Sequence, residues 1–160
     1  MRARTITVAG LVAAAGIGLL FHPARSLEVS SRRTGEVLWR VPVAAGEVFT
    51  FAYIHSIELT PVEGRFAVEA DGWLRLVETR FPSYGAGLPA QTTGRTPDGW
   101  MTAAGGERMP EFSFYMEPIN QARLRVGGRT LDLSARLRPG DVVAIAAGRH
   151  PFILLHLDPF

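Results

Sequence analysis

The sequence contains no cysteine and no lysine, so every permanently basic side chain is arginine. Those absences remove thiolate nucleophiles, Cys-based zinc sites, Schiff-base lysines and the P-loop lysine from consideration. They assign no compartment, because a chain can serve the cell envelope without disulfides. Acidic residues are missing from the first 26 positions, where Arg2, Arg4 and Arg25 lie. Subtracting those three from the 17 arginines leaves 14 against 15 acids, so the remainder carries about −1 and the basic character belongs to the N-terminus. A body without a basic stripe excludes nucleic acid as an expected partner.

What the N-terminus does contain is an apolar run. Ile6 to Phe21 is uncharged and Thr7 is its one polar side chain, directly after the basic start Met1-Arg2-Ala3-Arg4. Sixteen residues rise roughly 24 Å as a helix, slightly less than a hydrocarbon core of about 30 Å, which fits either a short anchor or the core of an export signal. Ala24 and Ser26 occupy small-residue positions of a possible cleavage site, but Pro23 and Arg25 oppose cleavage and no Ala-x-Ala motif is present. The expectation is an uncleaved single-pass anchor over 1–26, with secretion after cleavage as the alternative. Arg2 and Arg4 on the cytoplasmic side would place residues 27–160 outside the cytoplasm.

Residues 27–160 are one domain's worth of sequence beyond that leader. From Leu27 onward no window has a trustworthy helical period. Short strands are predicted over 27–31, 36–43, 47–56, 64–70, 73–81, 111–117, 122–126, 129–135, 141–147 and 152–157. Asp71-Gly72 and Gly127-Gly128 have the residue types of two-residue hairpins. The predicted fold is all-β, an antiparallel β-sandwich or partly open barrel, preceded by the N-terminal hydrophobic helix. Phe49, Phe51, Tyr53 and His55 alternate along a strand whose other face is also largely apolar, so that strand is expected at the centre of a sheet. Residues 82–110 are rich in Gly and Pro and are predicted to be a long functional loop with little β structure.

Residues 53–63 concentrate the candidate chemistry: His55, Ser56, Glu58 and Glu63 follow the apolar strand that carries Tyr53. Polar groups ending a buried strand must be paired or serve a ligand. They could bond local backbone at the strand end, or His55 with Glu58 or Glu63 could line a pocket for a cation or small polar ligand. A Ser56 nucleophile with His55 as its base fits poorly, since neighbouring strand residues point to opposite faces and no Gly-x-Ser-x-Gly elbow occurs. Metal spacing of the His-x-His or His-Glu-x-x-His kind is absent. A second candidate is Ser83-Tyr84-Gly85-Ala86-Gly87-Leu88-Pro89, after the strand carrying Glu78, where glycines permit close backbone approach. Arg123 and Arg125 share a strand face and could clamp a carboxylate or simply be solvated.

Tyr53, His55, Ser56, Ile57, Glu58, Pro61, Val62 and Glu63, then Glu78, Phe81 and Tyr84 to Pro89, resemble the two ordered motifs of the bacterial proteins grouped as domain of unknown function 1850. The resemblance implies a small envelope protein encoded beside tripartite ATP-independent periplasmic (TRAP) transporters of the TAXI class, contacting their permease or solute-binding protein. It implies no activity and no cofactor, and the chain is expected not to be an enzyme. The candidate binding residues are therefore Tyr53, His55, Ser56, Glu58, Glu63, Glu78, Tyr84, Gly85 and Gly87, with the His55 segment expected to dock on the Tyr84–Pro89 loop.

Overall fold

The computed structural model describes residues 22–151 and residue 153. The hydrophobic helix expected over 6–21 lies outside the described residues, as does the strand expected over 152–157 apart from residue 153. Described residues form antiparallel strands and no α-helix: β1 (Pro23–Ser31), β2 (Val37–Pro42), β3 (Val48–Ile54), β4 (Pro61–Val68), β5 (Leu74–Phe81), β6 (Gly94–Arg95), β7 (Met101–Ala104), β8 (Arg108–Met109), β9 (Glu111–Tyr115), β10 (Arg123–Val126), β11 (Arg129–Asp132) and β12 (Val142–Pro151). A four-stranded sheet has the order β2-β1-β12-β9. A larger one runs β11-β10-β3-β4-β5-β7-β6, with β8 beside β5.

The two sheets face each other across an aromatic seam, giving a sandwich-like architecture. Phe49, Phe51 and Tyr53 alternate onto the inner face of β3, as the period of a strand requires. Phe112 and Phe114 of β9 meet them from the smaller sheet, with ring centroids 5.0 Å (Phe51–Phe112), 4.8 Å (Phe51–Phe114) and 4.8 Å (Tyr53–Phe114) apart. Leu27, Val29, Trp39, Val143 and Ile145 complete the smaller sheet's inner layer and are buried. A second cluster of Val62, Phe81, Met101 and Ala103 continues the core beyond Tyr53.

Hairpin chemistry sets much of the register. Gly127 and Gly128, at φ of 54° and 76°, turn β10 into β11 with Val126 opposite Arg129, the left-handed pair that a tight hairpin needs. Between β4 and β5 the Asp71 carboxylate accepts the Trp73 N–H at 3.1 Å, but the connection is longer than two residues because Glu69 and Trp73 still pair.

Several boundaries depart from the sequence expectation: β4 begins at Pro61 rather than 64, β11 ends at Asp132 rather than 135, and β12 runs on to Pro151 rather than 147. β1 begins at Pro23 rather than Leu27, because Pro23 to Ser26 are already in register with Pro151 to Gly148. β3 ends at Ile54, so His55 and Ser56 belong to a loop. The segment 82–110, expected to hold little β structure, contributes one four-residue strand: β7 pairs with β5 from Phe81↔Met101 to Glu78↔Ala104, and β6 and β8 are two-residue additions. β7 reads Met-Thr-Ala-Ala and has little intrinsic strand preference. Tertiary pairing on β5, with Met101 and Ala103 turned into the second core cluster, supplies what local propensity does not.

A β-bulge interrupts the β4–β5 ladder. Phe66 lies opposite Leu76 while its neighbour Arg65 lies opposite Glu78, so Val77 is the extra residue. Leu74 and Leu76 therefore face the core, but beyond the bulge Thr79 and Phe81 take over that face. Glu78 and Arg80 turn outward.

Asp141 secures the start of β12. It is buried, accepts the Ser31 hydroxyl at 2.8 Å and the Val142 N–H at 2.7 Å, and lies 3.6 Å from Arg33. Burial alone would raise its pKa; the Ser31 hydroxyl, backbone N–H groups of Val142 and Arg33, and the Arg33 charge outweigh burial and hold it below the ordinary aspartate range. A depressed folded-state pKa contributes stability that is present above the unfolded value and is lost as pH falls through the folded one. Asp141→Asn should flatten that acid limb in a profile of Tm against pH and lower stability at neutral pH by about 2 kcal/mol. An acid limb identical to that of the native chain would contradict this role.

Candidate functional site

The β3–β4 connection spans residues 55–60 and is closed by its own first residue. The His55 N–H donates to the Thr60 carbonyl at 2.9 Å, and the Leu59 N–H donates to the His55 carbonyl at 2.9 Å. His55 Nδ1 accepts the N–H groups of Ile57 at 3.3 Å and Glu58 at 3.2 Å. The hydrogen-bond pattern assigns the neutral ring's proton to Nε2. The imidazole acts here as a cap for backbone amides, the service an Asn or Asp side chain performs in an Asx-turn. Its ring lies 6.4 Å from that of Tyr53. Burial raises the Tyr53 phenol pKa above its ordinary value.

Glu58 carries the loop to the second motif. Its Oε1 accepts the Ala86 N–H at 3.3 Å, and a Cβ on Gly85 would fall inside the Glu58 side chain. Glycine is required at 85 for that close approach. The Gly85–Pro89 loop is fixed in turn by a Leu88 N–H to Gly85 carbonyl bond of 3.1 Å and by Leu88 packing on Val62, Phe81, Met101 and Ala103. Gly87 adopts φ 79° within it. Tyr84 stacks obliquely near Phe81 at 6.1 Å and its hydroxyl meets Thr92 Oγ1 at 3.3 Å.

The other candidates point elsewhere. Glu63 is on the outer face of the large sheet, ion-paired with Arg125. Glu78 is on that same face and bonds Arg65 at 2.6 Å and Arg80 at 2.7 Å. Burial works to raise the Glu78 pKa, but the Arg65 hydrogen bond and the charges of Arg80 and Arg65 prevail and lower it. Ser56 is exposed on the loop. Thus the fold joins Glu58 to Gly85 and Tyr53 to His55, while Glu63 and Glu78 stand apart in separate ion pairs. Among the described residues no three His, Asp or Glu side chains are placed to hold a metal ion.

Sequence reasoning passed over Asn120, the single asparagine of the chain. It is 3% exposed, accepts the Glu117 N–H at 2.7 Å and donates to the Ile54 carbonyl at 3.1 Å. Its own carbonyl accepts the Ile54 N–H at 2.6 Å, so the β9–β10 connection is pinned to the last residue of β3. The sequence signal was faint: one buried amide among turn residues, with its partners 3 and 66 positions away.

Beside that pin, a cleft of about 300 Å³ opens on the outer face of the large sheet, bordered by Ile54, Glu63, Trp100, Gln121, Arg123 and Arg125. Of the motif residues, Tyr53, Pro61 and Glu63 border it.

Asn120→Ala leaves the part-buried Ile54 carbonyl and Glu117 N–H without their side-chain partner, and should reduce stability by about 1–3 kcal/mol in urea denaturation of the full chain. His55→Ala should cost about 1 kcal/mol, as loss of a backbone cap does. His55→Asn should recover most of it, because an amide oxygen can accept the same N–H groups. A His55→Asn chain as weakened as His55→Ala would show that the imidazole does something other than cap.

Comparison with curated proteins returns no match, and neither does comparison with solved structures. The family model described as Domain of unknown function (DUF1850) matches residues 49–133, a span that begins in β3, ends just past β11 and contains the large sheet, β9 and both motifs. The chain belongs to that family.

Proposed function

We propose that this protein is an extracytoplasmic accessory subunit of a TAXI-type TRAP transporter, held at the membrane by its N-terminal apolar segment, and that it contacts the permease or solute-binding protein through the end of the sandwich formed by residues 55–60 and 84–89. The observation that carries this reading is apolar exposure on a fixed loop. Ile57 is 69% and Leu59 61% exposed, and Tyr84 on the adjoining loop is 55% exposed. Leu59 also adopts φ 55°. A left-handed conformation costs a non-glycine residue on the order of 1 kcal/mol, and folding alone would favour Gly or Asn there. A leucine held in strain and turned to solvent gains its return when a partner covers it.

Burying Ile57 and Leu59 would contribute about 1.5–3 kcal/mol each, the scale of interface anchors. His55 and Glu58 fix the backbone beforehand, so little conformational entropy is lost on docking. The basic, apolar leader and the family membership support the membrane and transporter parts of the reading. A cation held by His55, Glu58 and Glu63 has less support, because Glu58 is engaged by Ala86 and Glu63 by Arg125.

The test is affinity capture of the tagged full chain from native membranes, with transporter subunits identified by mass spectrometry and TAXI-dependent uptake measured in parallel. The native chain should recover a permease or solute-binding subunit. An Ile57→Glu/Leu59→Glu chain, folded by circular dichroism, should recover at least tenfold less. Failure of the native chain to retain any transporter subunit, or equal recovery by the double variant, would overturn the proposal.

A further inference from the structure

The cleft beside Asn120 has a composition that the docking role does not use. Its floor and wall are apolar: Ile54 at the end of β3 and Trp100 just before β7. Trp100 is anchored by exchange with Thr96, donating its N–H to Thr96 Oγ1 at 3.0 Å while its carbonyl accepts the Thr96 N–H at 2.8 Å. Across from these stand Arg123 and Arg125, which β10 places on the outer face two residues apart, opposite Ala52 and Thr50 of β3. Gln121 joins them at φ 45°, one of two non-glycine residues with positive φ among those described. Backbone strain of that kind persists where the surroundings impose it, and here the imposing element is the doubly bonded Asn120.

The charges in the cleft do not cancel. Arg125 is paired with Glu63, which leaves Arg123 as the surplus cation of the three. Arg123 has an outside partner in Asp132, at 3.5 Å, but both side chains are about half exposed, and a solvated pair of that kind contributes little. Its planar guanidinium can exchange such a contact for a two-point grip on a carboxylate, which is stronger where an apolar wall excludes water. A volume of about 300 Å³ is at the small end of ligand sites.

From these features we infer that the outer-face cleft is a binding site for a free small monocarboxylate with an aryl or branched aliphatic body. Arg123 grips the carboxylate, the Gln121 amide supplies a further polar contact, and Trp100 and Ile54 cover the apolar body. Arg125 with Glu63 forms a neutral flank, which selects a single negative charge over a dianion. The site stands independently of the docking role proposed above.

The experiment is isothermal titration calorimetry on the full chain in lipid nanodiscs, with phenylacetate as probe and acetate, phenethylamine and inorganic phosphate as comparators. Phenylacetate should bind saturably, acetate at least tenfold more weakly, and phenethylamine and phosphate not at all. Arg123→Gln should weaken phenylacetate at least tenfold. Gln121→Gly relieves the positive φ, so it should keep or raise Tm while still weakening binding, which separates loss of a contact from loss of fold. The Ile57→Glu/Leu59→Glu chain should bind phenylacetate like the native one, so failure of docking and failure of the cleft are read separately. Absence of saturable phenylacetate binding, equal affinity in Arg123→Gln, or equal binding of phenethylamine would overturn the inference.

Discussion

The contact of β9 with β3 is the constraint on which the rest of the molecule depends. β9 belongs to the smaller sheet by hydrogen bonding, yet Phe112 and Phe114 reach across to Phe51, Phe66 and Tyr53 of the larger one. Each buried ring contributes about 1.5–3 kcal/mol through area, and close aromatic pairs add about 0.5–1.5 kcal/mol beyond it. The same contact fixes where β3 can end. The chain leaving β9 returns through Asn120 to grip Ile54, and the loop that follows is laid over the Gly85 turn. Loop geometry at the family motif is thus a consequence of packing between sheets.

Residue types that suggest reactivity serve architecture at this motif. Histidine and glutamate at a strand end invite a catalytic or metal reading, but both side chains are engaged by backbone N–H groups. A loop exposing Ile57 and Leu59 loses more entropy on binding if it is mobile, and these bonds hold it in one shape. Polar residues of the motif and its exposed apolar residues have complementary tasks: one group fixes the backbone that the other presents.

How much of this could be read from the chain depended on how local each determinant was. The β3 alternation and the Gly127-Gly128 hairpin are local and were legible, as was the all-β class. Residues 82–110 were read as having little β structure, and within them Met101 to Ala104 become a strand by pairing with β5. The bulge at Val77 inverted the outward and inward sets of β5, and no local residue announces it; Glu78 consequently stands with Arg65 and Arg80 on the outer face. Asn120 could not be singled out because its value lies in a partner 66 residues away. The shared face of Arg123 and Arg125 was legible, but the Trp100 wall that turns it into a cleft arrives from the turn between β6 and β7.

The early start of β1 bears on mechanics. Pairing begins at Pro23, opposite Pro151, while the apolar run of the sequence ends at Phe21. For a chain held in a bilayer as proposed, the one intervening residue, His22, gives a leash of about 7 Å from Phe21 to Pro23, far too short for the domain to tumble away from the lipid surface. The protein would then search for its partner in two dimensions, as a body swivelling about one end of its smaller sheet, where the inner strands β1 and β12 meet the membrane side, and its encounter rate would be set by lateral diffusion and by which side of the sandwich that pivot turns toward the neighbour. Lengthening the leash would trade a high effective concentration at one height above the membrane for a diluted sampling of many.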